Sequence, residues 1–248
     1  MNYDLSDESR ARNYLAFSLS PDGLKQQASF WAALEPLLPK DKNSRALDIG
    51  CGMGWLSHKL SSHYKNITSF DTSLGLLRHA REKFPGIDFV EANLTRDLPW
   101  PEAAFDLGVA CLVMHDLPDL NHGFGELARI IRPSGSLFLI GLNPYYAHPV
   151  GSWKRTLGEI LAGRKPRFKI RPYMPWRQKS EKAFRWRDNV SLFYSLPEML
   201  NTAAGCGFEL AHLEDIGSAR DSSSFDHDYR TSRFPIFLVY QLIRKCRP

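Results

Sequence analysis

Apolar residues in this 248-residue chain fall into short runs that alternate with amphipathic stretches. The apolar runs predict five strands, at residues 46–49, 67–70, 88–91, 107–113 and 136–142. The stretches between them have the spacing of helices, at about 55–64, 73–84 and 119–131. Short apolar strands that alternate with helices are typical of a parallel sheet covered on both faces.

The two ends of the chain depart from this alternation. Residues 1–40 predict two helices, over about 7–19 and 21–38. Ser195, Pro197 and Glu198 form the pattern of a helix start, and two last strands are predicted at 208–213 and 235–243. Because these strands lie too close in sequence for a helical crossover, we expect an antiparallel hairpin that completes a seven-stranded sheet.

The first predicted strand ends in Asp48 and leads into a glycine-rich turn. Gly50, Gly52 and Gly54 occupy every second position. Glycine has no Cβ, so a tight turn can bring backbone N–H groups close to a ligand. The dinucleotide pattern G-x-G-x-x-G requires a glycine where this chain has Trp55. The sequence therefore indicates a ligand-binding turn of another kind.

The pattern D-x-G-x-G-x-G resembles the first motif of class I S-adenosylmethionine-dependent methyltransferases of the methyltransferase type 11 kind. The resemblance covers residues 44–143 strongly and 193–245 more loosely. It implies a Rossmann-like, doubly wound α/β sheet, methyl transfer as the activity and S-adenosyl-L-methionine as the cofactor. In that family the acid at the position of Asp48 helps to bind the cofactor's ammonium group. The turn backbone contacts its carboxylate, which assigns Gly50, Cys51, Gly52 and Gly54 to the cofactor.

Asp71 ends the second predicted strand and is followed by Thr72 and Ser73. A carboxylate at this place can accept hydrogen bonds from two vicinal hydroxyls, as in ribose recognition. The alternative is a helix cap, since Asp and Ser both cap helices well. Given the glycine turn, we expect Asp71 and Thr72 to lie at the ribose.

Two further segments carry predicted cofactor contacts. Many relatives have Gly-Asp-Ala where this chain has Ala92, Asn93 and Leu94, and their acid binds the adenine amino group. Asn93 can still accept that N–H through its amide oxygen. Cys111 lies in the fourth predicted strand, whose end lines both cofactor and acceptor in relatives.

His115 and Tyr194 are the candidate catalytic residues. Imidazole titrates near neutrality, so His115 could act as a general base or orient the acceptor. The alternative is a histidine that fixes the turn into the next helix. Tyr194 is a candidate for the acceptor pocket, together with Tyr14, Tyr145 and Tyr146. The other histidines do not cluster as metal ligands do, so we expect no metal.

The net charge of +5 is concentrated in one segment. Residues 153–187 hold twelve Lys or Arg against two Glu, a balance of +10, so the rest of the chain carries −5. Basic residues interleaved with aromatics suit a nucleic acid or an anionic headgroup. The alternative, which the resemblance favours, is a lid over the pocket of a small acceptor, including an anionic or membrane-associated one.

These patterns predict four segments: an N-terminal helical cap (1–40), a cofactor-binding core (41–143), a basic aromatic lid insert after strand 5 (144–192) and a C-terminal helix and hairpin (193–248). The chain has no apolar run of about 18 residues, its N-terminus is polar, and its four cysteines are scattered. We therefore expect a cytoplasmic protein without a transmembrane segment.

Three functions are compatible with these observations. The first is a methyltransferase for a small or medium-sized acceptor at O, N or C. The second is a methyltransferase for RNA or another polyanion. The third is a non-catalytic module that binds S-adenosylmethionine.

Overall fold

The computed structural model describes residues 8–145, 151–154, 158, 161–162, 167–170, 179–180, 191–192, 194–217 and 235–246. The helices are α1 (Glu8–Ser18), α2 (Pro21–Leu34), α3 (Trp55–Ser61), α4 (Leu74–Lys83), α5 (Leu120–Ile130) and α6 (Leu196–Gly205). The strands are β1 (Arg45–Ile49), β2 (Asn66–Asp71), β3 (Asp88–Glu91), β4 (Phe105–Cys111), β5 (Ile131–Leu142), β6 (Gly151–Lys154), β7 (Arg167–Ile170), β8 (Lys179–Ser180), β9 (Ser191–Leu192), β10 (Phe208–Ile216) and β11 (Phe237–Arg244). Short 3-10 helices span Glu35–Leu37 and Met114–Asp116.

Seven strands form one mixed sheet in the order β10-β11-β5-β4-β1-β2-β3. The strands from β1 to β5 pair in parallel, whereas β11 is antiparallel to both β5 and β10. The predicted doubly wound sheet with an antiparallel C-terminal hairpin is therefore confirmed. The chain leaves β1 towards β2 and β3 on one side and places β4 and β5 on the other. Open α/β sheets bind ligands at such a reversal, beyond the carboxyl ends of the strands.

Strand β1 shows how the core positions a polar group. Leu47 and Ile49 are fully buried in the cluster that contains helix α5. Ala46 is buried in the cluster on the other face, with residues of α2 and α3. Because successive strand residues point to opposite faces, Asp48 shares the face of Ala46 and meets α3.

Several predicted boundaries differ from the structure, among them one end each of β4 and β5. Strand β4 ends at Cys111 rather than at residue 113, because Leu112 has a φ of +59° and turns the chain into the 3-10 helix. Strand β5 begins at Ile131 rather than at residue 136. Ile131 pairs with Phe105 and Ser136 pairs with Leu107, so residues 132–135 form an irregularity in the pairing of β5 with β4.

Much of the predicted lid lies outside the described residues, including Tyr146 and most of 153–187. Its described backbone forms two antiparallel pairs, β6 with β7 and β8 with β9. The lid and the division into four segments therefore stay predictions. All four cysteines are free thiols. Among the described residues, no helix has both the length and the apolar character needed to cross a bilayer.

Candidate active site

A cavity of about 380 Å³ opens at the carboxyl ends of β1, β2 and β4, where the strand order reverses. This volume lies in the range of small-molecule sites. The cavity is lined by most of the predicted cofactor residues: Asp48, Gly50, Cys51, Gly52, Asp71, Thr72, Asn93, Leu94 and Cys111. His115 lines it as well, whereas Gly54 and Tyr194 do not.

The glycine turn has a backbone that only glycine adopts without strain. The φ angles of Gly50, Gly52 and Gly54 are +65°, +53° and +81°. A Cβ on Gly50 would lie 2.6 Å from Cγ2 of Val113, and one on Gly52 would lie 3.0 Å from the Tyr14 hydroxyl. Gly54 is the N-cap of α3 and packs against the core behind the cavity. The turn is therefore shaped by close contacts as well as by its dihedral angles.

Asp71 ties the glycine turn to the end of β2. Its Oδ2 accepts the Gly52 N–H at 2.8 Å, and its Oδ1 accepts the Ser73 N–H at 2.9 Å. Helix α4 is capped by Ser73, whose hydroxyl accepts from the N–H of Leu76. Asp71 is therefore not the helix cap that the sequence offered as an alternative; its carboxylate lies in the cavity wall, 8% exposed.

Asp48 is almost completely buried beneath the turn, with 1% of its surface exposed. The Ser57 hydroxyl, in α3, donates to its Oδ2 at 2.6 Å. Burial raises the pKa of the Asp48 carboxyl to about 7, the Ser57 bond opposes this shift, and the charge of Asp71 adds to it. Two acids in one wall disfavour each other's ionised form, so a cationic ligand would be stabilised there.

Ser57 was not among the residues predicted for the site. The signal that could have found it is a small polar residue close after the turn, in a helix whose neighbours Leu56 and Leu60 are apolar. Only the packing of α3 against β1 shows that its hydroxyl meets Asp48.

The two cysteines of the cavity are neutral. Burial, with the nearby charges of Asp48 and Asp71, raises the pKa of the Cys51 thiol well above its ordinary value. Burial and Asp48 raise the pKa of Cys111 in the same way. The thiolate is the nucleophilic form of cysteine, and these thiols stay protonated. The two residues therefore form a weakly polar part of the cavity wall rather than a reactive centre.

Asn93 uses its amide oxygen within its own loop. Oδ1 accepts from the N–H of Thr95 at 2.9 Å and from the Thr95 hydroxyl at 2.8 Å. Both lone pairs are then engaged. The predicted contact with the adenine amino group therefore requires the Thr95 hydroxyl to turn to another acceptor, and it stays a prediction.

His115 and Tyr194 meet at a second, smaller cavity of about 30 Å³. His115 lies in the 3-10 helix after β4, is 6% exposed and places Nε2 3.7 Å from Oδ1 of Asp116. It lines both cavities. Tyr194 lines the smaller cavity only, and its hydroxyl donates to the carbonyl of Leu117. The catalytic roles of both residues stay predictions.

The N-terminal helices form the outer wall of the main cavity. Tyr14 and Phe17 of α1 line it, as do Gln27 and Phe30 of α2. The Gln27 side chain also donates to the Ser18 carbonyl at 2.9 Å, which ties the two helices together. Tyr14, a candidate for the acceptor pocket, lies against the glycine turn, and its role stays a prediction.

Comparison with known proteins agrees with this geometry. Residues 47–139 match the family model described as a methyltransferase domain. A malonyl-[acyl-carrier protein] O-methyltransferase of Serratia marcescens is 30% identical over 114 residues, which are 46% of this chain and 44% of that protein. A ubiquinone/menaquinone biosynthesis C-methyltransferase of Campylobacter jejuni is 25% identical over 181 residues, covering 68% of this chain and 72% of that protein.

Among solved structures, an S-adenosylmethionine-dependent methyltransferase from Mesorhizobium loti superposes with a TM-score of 0.73 at 24% identity. The match covers 89% of this chain and 100% of that one. This likeness shows the fold.

The fold and the sequence match define a class I methyltransferase domain. Residues 47–139 match the model of the methyltransferase domain family, and the fold is that of a solved S-adenosylmethionine-dependent methyltransferase, which agrees with the predicted resemblance. The chain spans less than half the length of the first curated relatives that it matches.

Proposed function

We propose that this protein transfers a methyl group from S-adenosyl-L-methionine to a small or medium-sized acceptor at O, N or C. The observation that carries the proposal is the placement of Asp48 and Asp71 with the glycine turn in one cavity of about 380 Å³. S-adenosylmethionine carries an ammonium group and a sulfonium, and a wall with two carboxylates suits such a cation.

Asp71 would hold the ribose. Each of its carboxylate oxygens already accepts one backbone N–H, but a carboxylate offers about four lone-pair sites. Because the same carboxylate fixes Gly52, it couples the shape of the turn to the position of the ribose.

Asp48 would serve the ammonium group from beneath the turn. Its raised pKa means that the free protein holds part of this carboxyl protonated near neutral pH. A cation close by favours the ionised form and lowers the pKa. Cofactor binding near neutrality should therefore release a proton from Asp48.

Bound S-adenosylmethionine supplies an electrophilic methyl group, and the transfer is an in-line displacement. The chain's contribution is to hold donor and acceptor at attack distance and to exclude water. His115 lies where it could take a proton from an O–H or N–H acceptor, because it lines both cavities. An acceptor that is already nucleophilic would need no base.

The test begins with thermal unfolding in the presence of S-adenosylmethionine, S-adenosylhomocysteine or NAD. A ligand at about 100 times its Kd stabilises a protein by roughly 2.7 kcal/mol, so the first two should raise Tm and NAD should not. Tritiated S-adenosylmethionine, incubated with fractionated small molecules and with RNA, then identifies the acceptor class.

The outcomes separate the three functions. Label in a small molecule supports the proposal. Label in RNA, with binding that weakens steeply as salt rises, supports the polyanion alternative and a role for residues 153–187. Cofactor binding without label in any fraction supports a non-catalytic module. The cytoplasmic location stays a prediction from the sequence.

A further inference from the structure

The smaller cavity, which we call the apolar slot, lies between β5, β9 and α6. Its walls include Leu139 and Gly141 of β5, Leu192 of β9 and Met199 of α6. Among its described lining residues, none is a carboxylate, an ammonium or a guanidinium, and the polar side chains are one His and two Tyr. The slot therefore differs in chemistry from the main cavity, whose wall contains two buried acids.

The slot is separated from the main cavity by a thin wall. His115 lines both spaces. Tyr194 lines the slot and donates its hydroxyl to the carbonyl of Leu117, which lines the main cavity. A molecule in the slot would therefore lie next to the place where the methyl donor is expected.

We propose that the apolar slot receives an uncharged apolar group of the methyl acceptor, such as an alkyl end or a ring edge. This inference rests on the proposed methyl transfer and adds the acceptor's chemistry to it. A cation buried there would lack an opposite charge among the described lining residues, an anion would have His115 alone among them and only in its protonated form, and burying an unpaired charge is costly.

The size of the slot is consistent with an end group rather than a whole acceptor. A water molecule needs about 10–15 Å³ on the same measure, so about 30 Å³ holds roughly two such volumes. Met114 and Met199 line the slot, and methionine side chains adapt readily to different shapes. These two side chains can widen the slot for a ring.

The two methionines also provide the test. The chain has five methionines, so methyl-¹³C labelling gives a simple spectrum, assigned with Met114→Leu and Met199→Leu. We would titrate the full-length protein with p-cresol and, as a charged match, with p-toluate. The slot predicts that p-cresol shifts the Met114 and Met199 signals and that p-toluate at equal concentration does not. Equal shifts with both, or none with p-cresol, would overturn the inference.

Gly141→Ala fills the slot without disturbing the fold. Its added Cβ would lie 3.8 Å from Cε2 of Tyr240, which is ordinary contact. We expect about tenfold weaker p-cresol binding, because extra volume in a filled site is costly. Gly125→Ala in α5 is the matched control, since its Cβ would meet nothing within 4 Å. Unchanged p-cresol affinity in Gly141→Ala would count against the slot.

S-adenosylhomocysteine separates failure of the inference from failure of the proposed function. Met53 follows Gly52, which lines the cofactor cavity, so its signal should respond to a ligand bound there. If S-adenosylhomocysteine shifts Met53 and p-cresol shifts neither slot methionine, the slot is wrong and the donor site stands. If S-adenosylhomocysteine does not bind, the proposed function fails and the acceptor inference fails with it.

Discussion

The carboxyl ends of β1 and β2 differ from those of β4 and β5, although all four belong to the parallel part of one sheet. At the first pair, the turn and both acids are fixed by hydrogen bonds, as in Ser57 to Asp48 and Gly52 to Asp71. At the second pair, Leu112 adopts a left-handed backbone and the walls of the slot are mostly apolar. We call these regions the donor end and the acceptor end.

The difference lies in how each end is assembled. The donor end is made by residues close in sequence, since the bonded pairs are separated by 9 and 19 positions. The acceptor end joins distant segments, as in the bond from Tyr194 to Leu117 over 77 positions. A locally built donor end can stay constant while the acceptor end changes with the segments that cover it. This is consistent with relatives named for both O- and C-methylation.

Substitution of Asp71 should cause the largest loss of affinity for S-adenosylhomocysteine. Asp71→Asn keeps the shape but loses the charge and one acceptor for the Gly52 or Ser73 N–H, so S-adenosylhomocysteine should bind about 100-fold more weakly by calorimetry. Asp106→Asn is the control, since Asp106 bonds Arg45 and Arg132 at the opposite end of β4, and those bonds lower its pKa to about 2. It should reduce Tm and leave binding unchanged. If Asp71→Asn binds normally, the donor end is misassigned.

The next effect concerns Tyr14. Tyr14→Ala removes the ring that covers Gly52, and we expect about tenfold weaker binding of S-adenosylhomocysteine. Tyr14→Phe should lose less, which separates the ring from its hydroxyl. Leu24→Ala is the control, because Leu24 of α2 is 52% exposed. Equal losses in Tyr14→Ala and Leu24→Ala would mean that the N-terminal helices act through general stability alone.

The raised pKa of Asp48 predicts that ligand affinity at the donor end depends on pH. With a pKa of about 7 in the free protein, the ionised fraction rises about tenfold between pH 6 and pH 8, and the affinity for S-adenosylhomocysteine should rise with it. Asp48→Asn should remove this dependence. A flat profile for the wild type would show that binding does not require the ionised carboxylate.

The raised pKa of Asp48 affects folding stability in the opposite direction, so that stability falls as pH rises. The folded pKa of Asp48 is raised above the unfolded value, so the folded state binds the proton more tightly. The contribution of this proton to the free energy of unfolding is full below about pH 4. It is lost as pH rises towards 7 and does not return at higher pH. Denaturant unfolding of the ligand-free protein should show this decline, and Asp48→Asn should lessen it.

The smallest expected effect belongs to Ser57. Ser57→Ala removes the hydrogen bond that favours ionised Asp48, so the pKa of Asp48 rises further and binding at pH 7 should weaken about threefold. At pH 9 most of this difference should vanish. Ser61→Ala, at an exposed position later in α3, should change neither value. A loss that persists at pH 9 would indicate a packing role for Ser57.

The order of the sheet and the position of the glycine turn can be predicted from the sequence alone. Apolar runs fixed the number and order of the main strands, because a strand buried on both faces cannot contain many polar residues. The glycine turn and Asp71 could be recognised in the sequence. A left-handed backbone favours glycine, and the acid at the end of a strand is visible within one short segment. The role of Ser73 as the cap of α4 was open until the structure showed its bond to Leu76.

The residues that cover the site could be identified only from the folded chain. The position of Tyr14 over Gly52 depends on how α1 packs, the bond from Ser57 depends on how α3 meets β1, and the apolar slot needs β5, β9 and α6 together. The physical reason is that burial and contact are properties of the folded chain. A side chain has one sequence position but takes its chemistry from the neighbours that folding brings to it.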